Sequence, residues 1–278
     1  MLTDAQLATF HQDGFVVLPG FYDLEREVLP IARHIHAVIG LLLGKYGMPD
    51  DRPAFSIETF DAGYLALIAK DRRIGGEVYD AVKQIPAFMR LVASERNEAI
   101  VRQVRGTAWA GVAAGGYGIR IDNPLEERYR APWHQEYPAQ LRSLDGLVFW
   151  SPLVTVTPEL GPVQFCPGSH RGGVVRVHTR DPHHPEKAGA YALTLEDEAA
   201  LIARYPRVAP LSEPGDLIVV DFLTLHASGT NQAARPRWSM QLRYFNFAEP
   251  TGLAHGWKGS FAAGVRFQDV HPELVADA

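Results

Sequence analysis

The chain has 278 residues, 46% of them hydrophobic, enough for one large domain around a packed core. A formal charge of −5, a pI near 6.1 and the lack of any Lys/Arg block argue against nucleic acid or an anionic membrane as partner. A single cysteine, Cys166, excludes an internal disulfide framework and a cysteine-based zinc site, and it fits a reducing cytoplasm.

The N-terminus, MLTDAQLATF, has neither the basic nor the apolar region of a signal peptide. Thr3 and Gln6 make a capping box for a first helix that Gly14 ends, before a short apolar run from Phe15 to Leu18. Helix-period apolar residues over 25–43 and 77–94 predict further helices, with Pro30 and Pro86 as kinks or helix starts. The most apolar stretch, residues 37–44, is too short to span a bilayer and reads as the end of a buried helix. Residues 1–99 are therefore expected to be mainly helical.

From about Ile100 the pattern changes to short runs bounded by Gly, Pro, Asn and Asp. Strands are expected over 100–105, 117–121, 144–151, 162–165, 173–177, 207–210, 216–223 and 237–247. Many short strands after a helical block imply an antiparallel barrel or double sheet with helices packed on one side. The long stretch 171–210, with a helix-like run over 194–204, is expected to cover the mouth of a site. On the last strand, Arg237, Ser239, Gln241 and Arg243 form one row and Trp238, Met240, Leu242 and Tyr244 the other. The polar row suits a wet barrel interior and the apolar row a helix-covered face. The opposite reading, with the arginines in solvent, stays open on this strand alone.

Two histidines and a carboxylate on one face of an octahedron can hold iron(II) and leave positions for other ligands. His-x-Asp/Glu on a strand supplies two of the three, but this composition produces about 1.3 such matches by chance. Four occur: His11/Asp13, His134/Glu136, His184/Glu186 and His271/Glu273. The first ends a helix, where i and i+2 do not share a face. The second lies among the strands, between Trp133 and Tyr137. The third sits in a Pro-rich stretch, and the fourth follows every expected strand near a loose C-terminus. Only His134/Glu136 has the required setting. His226, after a strand opened by Pro214, Gly215 and Asp216, is the candidate third ligand. Arg237, at the start of the polar-faced strand, offers a guanidinium for the far carboxylate of a dicarboxylate co-substrate.

Five segments, LTDAQLATFHQDGFVVLPGF (2–21), IRIDNP (119–124), PWHQEYP (132–138), GPVQFCPGSHRGG (161–173) and PGDLIVVDFLTLHASGTNQAARPRWSMQLRYF (214–245), together resemble the phytanoyl-CoA dioxygenase family of 2-oxoglutarate-dependent oxygenases, in family order. The resemblance implies a mainly β fold with flanking helices: a double-stranded β-helix (jelly-roll, cupin-like) core with the helical block on one sheet. It is read as a single domain over 1–278, with a helical flank (1–99), a core (100–250) and a lid-like insertion (about 171–210). The resemblance further implies Fe(II) on His134, Glu136 and His226. It implies 2-oxoglutarate on Arg237, helped by the Ser228 hydroxyl and near Gln135, and O2 as second co-substrate.

Glu136 is a departure, since the family more often has Asp there. A carboxylate at that position speaks against halogenation, which in related iron halogenases needs an open site for chloride, and for hydroxylation or another oxidation; the expected reaction is hydroxylation of a small metabolite or natural-product intermediate with release of succinate and CO2. Substrate-pocket candidates are Arg120, Tyr137, Trp150, Phe165 and Arg243. Each also suits core packing or, for Arg243, a structural ion pair. A cupin-like binding protein without oxygenase activity is the main alternative. A zinc hydrolase would need a general base, and none is evident once Glu136 is a ligand.

Overall fold

Thr3 caps the first helix, α1 (Asp4–Asp13), through the capping box with Gln6, and Gly14 closes it at φ 81°, a left-handed conformation that favours glycine. The computed structural model describes residues 1–184, 189–259 and 264–276. Strand β1 (Phe15–Leu18) follows directly. A π-helical turn, Leu24–Val28, runs into α2 (Leu29–Lys45), with Pro30 in its first turn where a missing N–H costs nothing.

The joined stretch Leu24–Lys45 is long and apolar enough to cross a membrane by length and composition, which residues 37–44 alone did not suggest. Its Ile31, Ala32, Ile35, Ile39 and Leu43 are buried in the main apolar core, and that burial accounts for their character. Helices α3 (Tyr64–Lys70), α4 (Ile74–Val82), α5 (Pro86–Val92) and α6 (Glu95–Arg105) complete the flank. The expected helix over 77–94 breaks at Ile85, which is extended (ψ 122°) because Pro86 disfavours a helical residue before it.

Residues 100–105, expected as a strand, are the second half of α6. Ser94 accepts from the Asn97 N–H at its start, Arg102 and Arg105 lie in its last turn, and Gly106 ends it at φ 59°. Ile100, Val101 and Val104 are its buried stripe, so an apolar cluster of helical spacing had the look of a short strand.

The large sheet has the order β1, β8 (Leu217–Asp221), β4 (Leu147–Pro152), β10 (Arg237–Asn246), β2 (Ala110–Val112). Strand β3 (Gly118–Asp122) pairs with the first half of β10, and β2 with the second. Facing this sheet are β5 (Val163–Phe165) and β9 (His226–Ser228), supplemented by isolated bridges such as Phe165 to Val208. A short hairpin, β6 (Val177–His178) and β7 (Thr194–Leu195), belongs to the inserted stretch, whose α-helix among the described residues is Glu198–Ile202. The strands expected over 173–177 and 207–210 thus reduce to one end of β6 and a single bridge, while β2, β7 and β9 were not foreseen. Among the described residues helix exceeds strand, about 37% against 18%.

The two rows of β10 separate as the polar-inside reading has it. Trp238, Met240, Leu242 and Tyr244 join the helices in one core, together with Val16 and Leu18 of β1. Phe15 and Val17 point the other way, to a second core between the sheets that contains Val148, Trp150, Val220 and Phe165. The site is built at the polar part of this inter-sheet space.

Candidate active site

Two backbone hydrogen bonds, each 3.0 Å, tie His134 to His226 across an isolated antiparallel bridge. This pairing brings residues 92 positions apart in sequence side by side, with ring centroids 4.2 Å apart. Glu136 does not continue a strand, as the motif suggested. It has helical dihedrals (φ −72°, ψ −33°) before a single helical turn, Tyr137–Gln140, and its N–H donates to the Phe222 carbonyl at 2.9 Å. Its Oε2 lies 3.9 Å from Nε2 of each histidine.

Each imidazole is oriented from behind. Nδ1 of His134 meets the Pro132 carbonyl at 2.8 Å and Nδ1 of His226 the Thr224 carbonyl at 2.9 Å. A carbonyl can only accept, so the proton sits on Nδ1 and the Nε2 lone pair faces Glu136. Burial, and for His226 also the neighbouring His134, lowers both histidines, His226 to about 3. Burial alone would raise Glu136, but Arg243 and the two histidines outweigh it and hold the carboxyl at about 2. Neutral imidazoles and an ionised carboxylate are the ligand forms that a divalent metal requires. One ligand atom from each of the three lies within 4.8 Å of the others, the one such His/Cys/Asp/Glu group found among the described residues. The donor set therefore fits iron(II).

Arg243 donates from Nε to Glu136 Oε1 at 2.5 Å and from Nη1 to the Gly116 carbonyl at 3.0 Å. It is the ion-pair partner of the Glu136 carboxylate and also borders the cavity. Arg237 and Ser228 are brought together as the resemblance implies, 3.0 Å apart. Ser228 lines the cavity, but Arg237 is fully buried behind it, also donating to Asp122 Oδ2 at 2.8 Å and to the Gly161 carbonyl. Asp122, opposite Arg237 in the β3–β10 register, was not singled out from the sequence. Burial would raise its carboxyl, yet Arg120 and Arg237 on either side lower it.

Other expectations change. Gln135 spends both amide N–H donors on the Gly173 and Leu223 carbonyls (2.8 Å each) and accepts from Val175 N–H at 2.9 Å, so it fastens the inserted stretch and has no donor left for a co-substrate carboxylate. Tyr137 is wholly buried in the second core, its hydroxyl 2.8 Å from His271 Nε2. His271 is thus packed at its ring and not loose. His11 closes α1, and Glu186, partner of His184, lies outside the described residues. Trp150, Phe165, Arg120 and Arg243 do line the cavity.

A cavity of about 70 Å³ lies against His134, Glu136, His226 and Ser228. His134, Glu136, Arg120, Gln241 and Arg243 also border a second compartment of about 550 Å³, walled by α4, β3 and the inserted stretch through Val177, Leu193 and Leu195.

A family model described as phytanoyl-CoA dioxygenase (PhyH) matches residues 10–239. The ectoine dioxygenase of Sphingopyxis alaskensis is 26% identical over 251 residues, covering 86% of this chain and 74% of that protein. The crystal structure of EctD from S. alaskensis with 2-oxoglutarate and 5-hydroxyectoine superposes with a TM-score of 0.57 at 19% identity, over 89% of this chain and 77% of that one. The epimerase SnoN in complex with Fe3+, alpha ketoglutarate and nogalamycin RO gives 0.56 at 19% identity, over 94% and 91%. At such identities the structural likeness establishes the jelly-roll fold.

Proposed function

This chain belongs to the phytanoyl-CoA dioxygenase family and is a non-haem iron(II)- and 2-oxoglutarate-dependent dioxygenase; on that premise we propose that His134, Glu136 and His226 hold the metal. When bound, the iron supplies O2 activation coupled to decarboxylation of 2-oxoglutarate to succinate and CO2. The observation that carries the assignment is the pair of Nδ1–carbonyl hydrogen bonds, which aim both Nε2 atoms at one oxygen of a carboxylate already ionised by Arg243.

Arg237 with Ser228 is the anchor we assign to the far carboxylate of 2-oxoglutarate. Ser228 presents its hydroxyl to the cavity and the guanidinium stands directly behind it. Trp150, Phe165, Val148 and Val163 surround the small cavity with apolar surface and keep bulk water from the reacting atoms. The larger compartment receives a small organic substrate, covered on one side by Val177, Leu193 and Leu195 of the inserted stretch, whose Gly173 and Val175 are fastened by Gln135. Glu136 occupies the position that chloride would need, which disfavours halogenation and leaves hydroxylation or another oxidation of the substrate. A single cysteine, Cys166, buried and unpaired, is consistent with a reducing cytoplasm, where we place the protein.

The test is succinate formation from 2-oxoglutarate by purified protein with Fe(II) and O2, alone and across a panel of small metabolites. Substrate-stimulated succinate is the expected result. Metal binding without succinate under any condition would leave a cupin-like binding protein in its place.

A further inference from the structure

We propose that the compartment of about 550 Å³ between α4 and β3 selects a flat, ring-bearing, uncharged or anionic organic molecule of drug size, a reading that rests on the dioxygenase assignment for the site it adjoins. Small-molecule sites of about 300–1,000 Å³ bury ligands of that size, whereas an amino acid would leave most of this volume wet.

The wall is built for flat faces. Gly76 and Tyr79, three residues apart, share one face of α4, and Arg72 borders the same compartment from the turn that precedes the helix. Gly76 is inside the helix, where glycine is a poor helix former, and a Cβ built on it meets nothing within 4 Å. The position is therefore open where a side chain would otherwise fill the compartment. Across from it Gly118 of β3 is also bare, its nearest neighbour being the Tyr79 hydroxyl, 3.8 Å from a Cβ placed there. Tyr79 and Tyr129 leave 44% and 42% of their surface exposed along this compartment, much for large aromatic residues. Arg72 lies over the Tyr129 ring at 5.3 Å and is held by two bonds to Glu126, at 2.5 and 2.7 Å, so the aromatic face is held in place. Aliphatic side chains of the inserted stretch, Leu193 and Leu195 among them, line the same space.

Charge narrows the class further. Among the described residues the one acidic side chain lining the compartment is Glu136, whose oxygens are committed to Arg243 and the metal position. The cations lining it, Arg72, Arg120 and Arg243, each already carry a carboxylate, on Glu126, Asp122 and Glu136. Among the described lining residues a substrate ammonium would find no uncommitted counter-charge, while hydroxyl, carbonyl or carboxylate oxygens can accept from guanidinium edges. Small zwitterions are thus disfavoured on size and on charge.

The test is anaerobic titration of the protein loaded with Fe(II) and 2-oxoglutarate, using a hydroxylated flavone, a hydroxylated anthraquinone and, as the opposing probe, L-proline. Binding is followed by calorimetry and by quenching of protein fluorescence. At least one flat probe should bind saturably at one site and L-proline should not. Tyr79→Ala should weaken the flat probe about 2- to 10-fold, the value of one aromatic contact. Gly76→Leu should weaken it about 5- to 100-fold by overfilling the compartment, with thermal stability and 2-oxoglutarate affinity unchanged. The proposal is overturned if neither flat probe binds saturably, if L-proline binds more tightly, or if both variants leave affinity unaltered. Should Gly76→Leu disturb folding, Tyr79→Ala alone decides. If flat probes bind while 2-oxoglutarate does not, the dioxygenase assignment fails and the compartment's selectivity stands.

Discussion

Arg237 and Arg243 stand six residues apart on the same inward row of β10, and each is paired with a buried carboxylate, yet the two ends of the strand do different things. At the Arg237 end, Asp122 comes from the adjacent strand and both of its oxygens are taken, Oδ1 by Arg120 and Oδ2 by Arg237. At the Arg243 end, Glu136 comes from outside the sheet. Its Oε1 is taken by Arg243, while Oε2 faces two imidazole nitrogens at 3.9 Å. A buried ion pair therefore does not by itself mark a reactive carboxylate. An oxygen turned toward two oriented nitrogen lone pairs does.

The comparison breaks most decisively at the histidines. His226→Ala or His134→Ala should weaken metal affinity by more than about 100-fold, beyond the roughly 10- to 100-fold typical of residues that only orient ligands. Titration with Co(II), followed by its visible absorption, measures this directly. Affinity within tenfold of the parent in either variant would move the metal elsewhere.

The closed end should instead respond in stability. Asp122→Asn leaves the fully buried Arg237 without its counter-charge, so unfolding in urea should lose about 3–5 kcal/mol while Co(II) affinity stays near that of the parent. Because the folded structure lowers the Asp122 carboxyl, its contribution is complete above about pH 4 and disappears as pH falls through the lower folded value. The variant should accordingly have a flatter acid limb in its stability profile than the parent. An equal loss of metal affinity would mean that the two ends are not separable.

Arg243→Lys probes the open end more gently. The charge is retained, but the planar fork that joins Oε1 of Glu136 to the Gly116 carbonyl is lost. Co(II) affinity should fall about 10- to 100-fold, as for other residues that hold a ligand from behind. No change would show that Glu136 orients itself. Adding Glu136→Asp to this variant sharpens the point, because a shorter carboxylate no longer reaches the same partner and the two effects should not add.

The parts of this arrangement that were legible in the sequence are those with local signatures. The capping box at Thr3 and the two rows of β10 rest on short-range pattern, and each appears where expected; the His134/Glu136 spacing was equally legible, although Glu136 stands at a helical turn and not on a strand. What escaped was set by long-range partners. Gln135 reads as a neighbour of the metal motif, but its three hydrogen bonds go to backbone 38, 40 and 88 residues away. Asp122 acquires its meaning from β10, 115 residues on, and Arg243 from Glu136, 107 residues back. Residues 100–105 misled for a different reason: six residues of α6 seen without its Ser94 cap carry too little periodicity to tell a helix from a strand.

The smallest expected effect belongs to His271, the remaining His-x-acid match that packs near the site. Its Nδ1 lies 3.2 Å from Glu273 Oε1, which can only accept, so Nε2 is left as the acceptor for the Tyr137 hydroxyl at 2.8 Å. Burial raises the Tyr137 phenol well above its ordinary value, which keeps it a donor throughout the working range. Tyr137 adjoins Glu136 in sequence, so this bond reaches the metal site only through the backbone turn that carries both. His271→Ala removes the acceptor from a buried hydroxyl, at a cost of about 1 kcal/mol, low in the usual range because the histidine side chain is 15% exposed and water can reach its place. Co(II) affinity should stay within about twofold of the parent, since neither Nδ1–carbonyl bond nor the Arg243 pair is touched. A tenfold loss would show that the Tyr137–Gln140 turn is held in place by His271, making this match a positioning residue and not a coincidence of composition.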